Sequence, residues 1–546
     1  MSVAMPEEPP VAPTRSHYPA DATRPVLDLS VGRLLRQAAG EAPQRTALIW
    51  IAPDHEPRTW TYAALLADAE HAAAWLLRRF RPGDHIAVWA PNTPEWLILQ
   101  YGVALAGMVL VTTNPALRER ELTYALCRSN SVAVAYAEEF RGTDMAGLLG
   151  QVLTDLPEIT AIPFSTWLAE IRDTDVPTAT FPEVAPESPT QIQFTSGTTG
   201  FPKAAILGHR AMITNADYVR ARCDSPAGAV WISAMPLFHT AGCGMAGLGN
   251  LVQRGTLVLA QLFQPALVLA AIDTFEGDVL IGVPAMLKAL LAHPDVATYD
   301  LSSLQVIVSG GDTVPAELVE RCEDTFSASF STVYGQTELS PIVTQTSPHD
   351  TERDNRHTAG KPLWNVEVAI LAVPDGTVVP VGTEGEICAR GYQTMIGYLD
   401  MPEETAATID ADGWLHTGDL GSMDERGYVT VTGRLKDLII RGGENIYPRE
   451  IEQVLLRHPD VGNAAVIGIP DEEWGESVAA IVQPEPTGTA PTARSLHDFV
   501  REQLAPHKTP KSWYVTGDLP TNAMGKLQKF RLRDAIIANE LRKLDD

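Results

Sequence analysis

The strongest constraint on the fold is an alternation of short apolar runs with longer amphipathic ones. "TALIWI" reads as a strand and "WTYAALLADAEHAAAWLLRRF" as a helix. "DHIAVWAPN" then reads as a strand, and "PEWLILQYGVALAGMVLVTTNP" as a helix running into another strand. Alternation of this kind predicts βαβ units with parallel strands. A second series follows in "AVWISAMPLFH", "ALVLAAIDTF", "DVLIGVPAMLKALLAH" and "LQVIVSGGDTVPAELVERCEDTF". From about residue 360 the pattern shortens to the β segments "VEVAILA", "GEICARG" and "YVTVTGR", and a smaller α/β unit begins after "GRLKDLIIRGGENIYPREIE". The expected fold is therefore α/β. A large N-terminal domain of two α/β subdomains and a small β-rich one spans 26–434, and a smaller, mobile α/β domain spans 436–546. The Pro-rich residues 1–25 read as a flexible arm. Residues 173–190 read as a linker.

Between the two series lies "QFTSGTTGFPKAAI", from Gln193. Small hydroxyl residues, glycines and a lysine follow a β-prone lead-in. Backbone N–H groups of such a loop can converge on phosphate oxygens, with Lys203 adding charge. It is not a Walker A loop, because Phe201 and Pro202 separate Gly200 from Lys203. A flexible surface loop is the plain alternative for this stretch alone.

A net charge of -27 over 546 residues argues against unspecific nucleic-acid binding, which needs a basic footprint. The five cysteines, Cys127, Cys223, Cys243, Cys322 and Cys388, are scattered and form no C-x-x-C pair. That favours a reducing compartment, with buried thiols. No secretory leader is recognised, and the longest apolar runs are too short for a transmembrane segment. A cytoplasmic location is expected.

Six further segments accompany the loop: "MPLFHTAG", "SGGDTVP", "VYGQTELSP", "GWLHTGDLG", "GRLKDLIIRGGENIYPREIE" and "PTNAMGKLQKFRLR". In this order they resemble the adenylate-forming superfamily of acyl-CoA synthetases, firefly luciferases and peptide-synthetase adenylation domains. The resemblance covers nearly the whole chain from about residue 30. The "RGGENIYPREIE" wording is most similar to fatty-acyl-CoA synthetases, medium-chain members among them. It implies two half-reactions. A carboxylic acid and ATP give an acyl-adenylate, and the acyl group then passes to coenzyme A.

The resemblance also implies site residues. Thr195, Ser196, Gly197, Thr198, Thr199, Gly200 and Lys203 would wrap the β- and γ-phosphates. Ala204 departs from the glycine common in the family. Lys526 would reach the α-phosphate and the acid, Thr337 the α-phosphate, and Glu338 would bind Mg²⁺. Tyr334, within the segment that also holds Gly335 and Gln336, would stack on adenine opposite Gly310, Gly311 and Asp312. Asp419 would accept the ribose hydroxyls, and Arg434 would contact the ribose. His239 would stand by the acid and the thiol entrance. Trp231, Phe238 and Ile307 are candidates for an acyl tunnel or for core packing. Lys436 would be the hinge that exchanges Lys526 for the loop Arg441–Asn445, where Gly442 and Gly443 would line the pantetheine path.

Each of these also has a plain structural reading: a β-turn Asp, a helix cap, a surface lysine, a structural histidine. The alternatives within the superfamily are an aryl or unusual acid and a non-CoA acceptor, such as a carrier-protein thiol or an amine. Outside it, a nucleotide-binding sensor without catalysis is the competitor, disfavoured by intact Lys526, Glu338 and Asp419. A homodimer is left open.

Overall fold

The computed structural model describes residues 14–176, 181–195, 202–373, 375–441, 444–471, 474–485, 491–521 and 527–544. Ser196, Gly197, Thr198, Thr199, Gly200, Gly442, Gly443 and Lys526 lie outside the described residues.

Among the described residues, three large sheets build the N-terminal part, beside the two-stranded pair Glu139–Phe140 and Thr143–Asp144. One has seven strands. Its parallel run is Pro189–Thr195, Val109–Thr113, His85–Trp89, Ser131–Tyr136 and Thr160–Pro163, and Lys203–Gly208 and Gly397–Tyr398 add antiparallel strands at one edge. The second has nine strands. Its parallel run is Ser329–Gly335, Val306–Gly310, Val279–Ile281, Val230–Ser233, Thr256–Ala260 and Thr46–Ile51. The third is an antiparallel five-stranded sheet that contains Gly385–Gly391, Leu415–Met423 and Val429–Arg434. A fourth sheet, from Ile439 onward, belongs to the C-terminal unit.

Two expectations are revised. The α/β series are not consecutive modules, because Thr46–Ile51 and Arg58–Thr61 complete the nine-stranded sheet beside Thr256–Ala260. Residues 14–25 are also not a loose arm. His17–Tyr18 pairs with Val366–Leu371, and Arg24 Nη2 lies 2.7 Å from the buried carboxylate of Asp217. An edge strand left open is a template for unwanted pairing, and both additions cover one. The described part of the 173–190 segment is likewise tied down, since the His71 ring and the Arg78 guanidinium engage the carbonyls of Thr174 and Asp175.

Local signals explain the helices. Val31–Glu41 is capped by Ser30, whose hydroxyl accepts the Arg33 N–H, and it buries Leu34, Leu35 and Ala38 at helical spacing. Pro94–Leu105 starts with Thr93 as cap and Pro94 in the first turn, and it is buried on every side. That explains its unbroken apolar sequence. Trp231 and Ile307 are fully buried core residues, which matches the core-packing alternative of the two. Both are strand residues packed on core side chains; Ile307 sits among Leu280, Val319 and Phe330. Of the five thiols, Cys127 is exposed and the other four are buried. Among the described residues no helix is long and apolar enough to cross a membrane.

One buried histidine ties two helices together. The Val31 N–H donates to His209 Nδ1 at 3.2 Å, and His209 heads the helix His209–Arg222. The ring is fully buried, and Nε2 has no hydrogen-bond partner among the described residues. Burial pulls the imidazole down to about 4 from its ordinary 6.5. The unfolded chain therefore takes up a proton between pH 6.5 and 4 that the folded chain refuses, and stability falls as pH drops through that window. Between pH 7 and pH 5 this one ring should cost about 2 kcal/mol. Urea unfolding at the two pH values should show a smaller loss for His209→Asn, which keeps an acceptor. An unchanged loss would mean that the ring is not held neutral.

Candidate active site

Of the described candidates, Thr195, Gly310, Gly311, Asp312, Tyr334 and Gly335 stand at or just past the carboxyl ends of parallel strands, where open α/β sheets bind ligands. Gly310 ends Val306–Gly310, with Gly311 and Asp312 just beyond it. Tyr334 and Gly335 end Ser329–Gly335, and Thr337–Leu339 follows as a single 3₁₀ turn. Thr195 ends Pro189–Thr195 and stands opposite Lys203 across the antiparallel pair. Gly310 and Gly335 are dictated by crowding. A Cβ on Gly310 would lie 2.1 Å from the Val333 carbonyl oxygen, and one on Gly335 1.9 Å from that of Pro341.

One polar cluster centres on Asp419, which is only 7% exposed. Tyr334 Oη donates to Asp419 Oδ2 at 3.0 Å, and Arg434 Nε lies 3.1 Å from Oδ1. Asp419 and Arg434 face each other across neighbouring strands of the five-stranded sheet. Burial, and then the Asp419 charge, pushes the Tyr334 phenol well above its usual range, so it remains a donor. The turn that carries Asp419 is braced from below. Thr417 Oγ1 accepts the Asp419 N–H and donates to the Ile387 carbonyl. Glu386 Oε1 accepts the Gly418 N–H, and Oε2 meets His416 Nδ1 at 2.8 Å. Cys388 Sγ lies 3.5 Å from the same ring nitrogen, and burial, with Glu386 adding to it, drives its thiol upward.

A second cluster lies around Glu338. Its side chain is nearly buried, and Oε1 accepts the Tyr398 hydroxyl at 2.8 Å. The Lys203 ammonium sits 4.7 Å from the centre of the same Tyr398 ring. Tyr398 thus joins the carboxylate to the cation at the end of the Ser/Thr/Gly loop. Burial, then Glu338, raises the Tyr398 phenol above its usual range, so this group too stays protonated. The sequence analysis did not single out Tyr398. Its contact with Glu338 spans 60 positions, and nothing local in "MIGYLD" announces it.

His239 precedes an unusual π-helical stretch, Ala241–Leu248. π-turns recur at functional sites. The Ala241 N–H donates to His239 Nδ1 at 3.2 Å, so the proton of the neutral ring is on Nε2. Phe238 is part-exposed and its carbonyl accepts the Thr112 hydroxyl. Cys243 is buried on the Gln191 and Gln193 side chains, with its thiol pushed up to about 12 by burial. Asp312 is exposed and accepts the N–H of Thr313. Gln336 precedes the 3₁₀ turn and its N–H donates to the Pro341 carbonyl. Lys436 is exposed on the short 3₁₀ turn Leu435–Asp437, directly after Arg434.

Comparison with known proteins identifies the family. The family described as AMP-binding enzyme matches residues 35–399, and its C-terminal domain matches residues 450–526. The chain is 38% identical over 484 residues to a 3-[(3aS,4S,7aS)-7a-methyl-1,5-dioxo-octahydro-1H-inden-4-yl]propanoyl:CoA ligase of Rhodococcus jostii (strain RHA1), covering 85% of this chain and 91% of that one. It is 32% identical over 539 residues to the mitochondrial medium-chain acyl-CoA ligase of Homo sapiens, covering 92% and 87%. Among solved structures it matches the o-succinylbenzoate CoA synthetase of Bacillus subtilis in complex with its acyl-adenylate intermediate. The TM-score is 0.81 at 29% identity, covering 95% of this chain and 100% of that one. The chain belongs to the AMP-binding enzyme family, in the acyl-CoA synthetase branch of the adenylate-forming superfamily, and is an AMP-forming acid–CoA ligase.

Proposed function

We propose that the enzyme activates a medium-chain fatty acid with ATP and Mg²⁺ and passes the acyl group to coenzyme A. One observation carries the reading of the site. A nucleoside-type cluster (Tyr334, Asp419, Arg434) and a phosphate-type cluster (Lys203, Tyr398, Glu338) flank the end of a single strand, Ser329–Gly335.

In this reading Asp419 accepts the ribose hydroxyls, held in place by Tyr334 and Arg434. Tyr334 presents its ring to adenine, and Gly310, Gly311 and Asp312 form the facing wall. The loop from Thr195 to Lys203 binds the β- and γ-phosphates, and Thr337 meets the α-phosphate. Mg²⁺, which prefers one or two carboxylates with phosphate and water oxygens, would be held by Glu338 and would neutralise polyphosphate charge. The donor set fits, since a carboxylate accepts several bonds and Tyr398 takes one of them. His239 shapes the acid end, with its Nδ1 already engaged by the Ala241 N–H. A turn at Lys436 would exchange Lys526 for the Arg441–Asn445 loop between half-reactions.

The medium-chain assignment draws on relatives named for that activity at 31–32% identity. A bulky alicyclic propanoate is the second reading, favoured by the relative at 38% identity. Pyrophosphate release over a panel of both acid types decides between them. Each buried CH₂ is worth about 0.8 kcal/mol, so kcat/KM should climb roughly fourfold per carbon and stop in the medium range. Preference for the polycyclic acid over every straight chain would overturn the first reading. Adding CoA should convert the bound adenylate to thioester; release to an amine or carrier protein alone would move the acceptor elsewhere.

Lys526→Ala should depress ATP–pyrophosphate exchange by about 10²–10³-fold, the scale of a lost oxyanion donor. Thioester formation from presynthesised acyl-adenylate should persist. Equal loss of both would place Lys526 in neither pose exclusively.

Tyr398→Phe removes the hydroxyl that fixes Glu338. A hydrogen bond to a charged group contributes about 1.5–3 kcal/mol, so the Mg²⁺ concentration for half-maximal exchange should rise by about tenfold or more. An unchanged Mg²⁺ dependence would detach Glu338 from metal binding.

A further inference from the structure

Arg449 is the second residue of the helix Pro448–Leu455, which belongs to the C-terminal unit. That helix packs on Val429–Arg434, the strand of the N-terminal part that ends at Arg434. Arg449 Nη1 donates to the Val431 carbonyl at 2.7 Å across this boundary. Its Nε is buried and has no hydrogen-bond partner among the described residues. Burial lowers the guanidinium from its ordinary value. The nearby carboxylates that oppose the shift are Asp312, Glu452 and Asp419, in that order. Two of those three stand at the nucleoside pocket. The C-terminal unit thus presents a half-desolvated cation toward the carboxylates of the other unit. Such a cation is costly unless it is paired, so its placement ties the two units into one arrangement.

The hairpin that precedes this helix identifies the arrangement. Ile440 is 54% exposed, and the Glu444 side chain is 63% exposed beside His507 of its own unit. Arg441 is likewise turned inward to its own unit, donating to the His507 carbonyl and lying over Trp474. A hairpin that walled a thiol tunnel in the other unit would bury these residues there. On the two-step reading, this exposed hairpin corresponds to the acid-activating arrangement.

We propose that Arg449 is a positioning residue that seats the C-terminal unit over the nucleoside pocket during acid activation and releases it for thioester formation. The inference rests on the two-step reading of the site given above. Arg449 touches no reacting atom. It acts through Val431 and through the field it adds beside Asp419 and Asp312.

The test uses the full-length enzyme with Arg449→Ala and Arg449→Lys. ATP–pyrophosphate exchange should fall at least tenfold in Arg449→Ala, with Arg449→Lys between it and the parent because one donor and the charge remain. Single-turnover thioester formation from presynthesised acyl-adenylate should stay within about twofold of the parent. Deuterium uptake by residues 429–437, measured without substrates, should rise in Arg449→Ala. A role confined to folding would depress both half-reactions together and lower the thermal midpoint, and that outcome overturns the proposal. Unchanged exchange with unchanged deuterium uptake overturns it as well. If the parent enzyme itself gives no exchange, the acid-activating reading fails, and deuterium uptake alone decides whether Arg449 seats the unit.

Discussion

The site depends on a carboxylate kept out of water. Asp419 is buried, and a buried carboxylate is costly unless its oxygens are hydrogen-bonded. Its partners come from two sheets: Tyr334 from the end of a nine-stranded parallel sheet, and Arg434 from the neighbouring strand of the five-stranded sheet. The two sheets are thereby fixed relative to each other at the Asp419 carboxylate. Thr417, Glu386 and His416 extend this support into the sheet below, so the carboxylate is positioned before any ligand arrives. Preorganisation of this kind lets binding proceed without ordering the site first.

Much of this was legible in the sequence, because the chemistry is written in short contiguous stretches. A strand segment that carries a buried carboxylate, or a strand end that needs glycine under a carbonyl oxygen, uses neighbouring residues, and "TGDL" and "VYGQTE" carry them locally. The α/β alternation is legible for the same reason, since strand and helix periods are local properties. Tyr398 was not legible. It matters only because the chain returns, 60 positions after Glu338, to lay Gly397–Tyr398 along the edge of the seven-stranded sheet. Arg449 was hidden similarly, as one charge in a helix start whose contact with Val431 exists only once two units meet. The edge strand His17–Tyr18 failed to show because two residues carry no period. Trp231 and Ile307 were ambiguous because the same apolar types serve a tunnel wall and a core equally well.

The acidity of the chain, -27 overall, sets the electrostatic problem that the site solves. A polyphosphate and a carboxylate must approach a protein of like charge. The answer is local. Lys203 sits against the Tyr398 ring, Arg434 beside Asp419, and Arg449 against the Val431 carbonyl. Each cation is confined by packing, and none depends on a broad basic surface. Screening by salt weakens such partly buried charges less than exposed ones.

The exchange of strands between the two large sheets constrains how the protein can be made. The nine-stranded sheet is completed by residues 46–61, among the first to be synthesised, and these find their partner only when Thr256–Ala260 exists. The seven-stranded sheet, started by residues 85–163, gains its last edge strand only when Tyr398 has appeared. Neither sheet is a finished object while the other is half built. Residues 46–61 therefore wait about two hundred residues for their partner, and the seven-stranded sheet waits until about residue 398 for its last edge strand; until then strand edges stand open to water and to other nascent chains. A protein interlaced in this way gains a site braced from both sheets, and in return it leans on whatever shields unfinished β edges during synthesis.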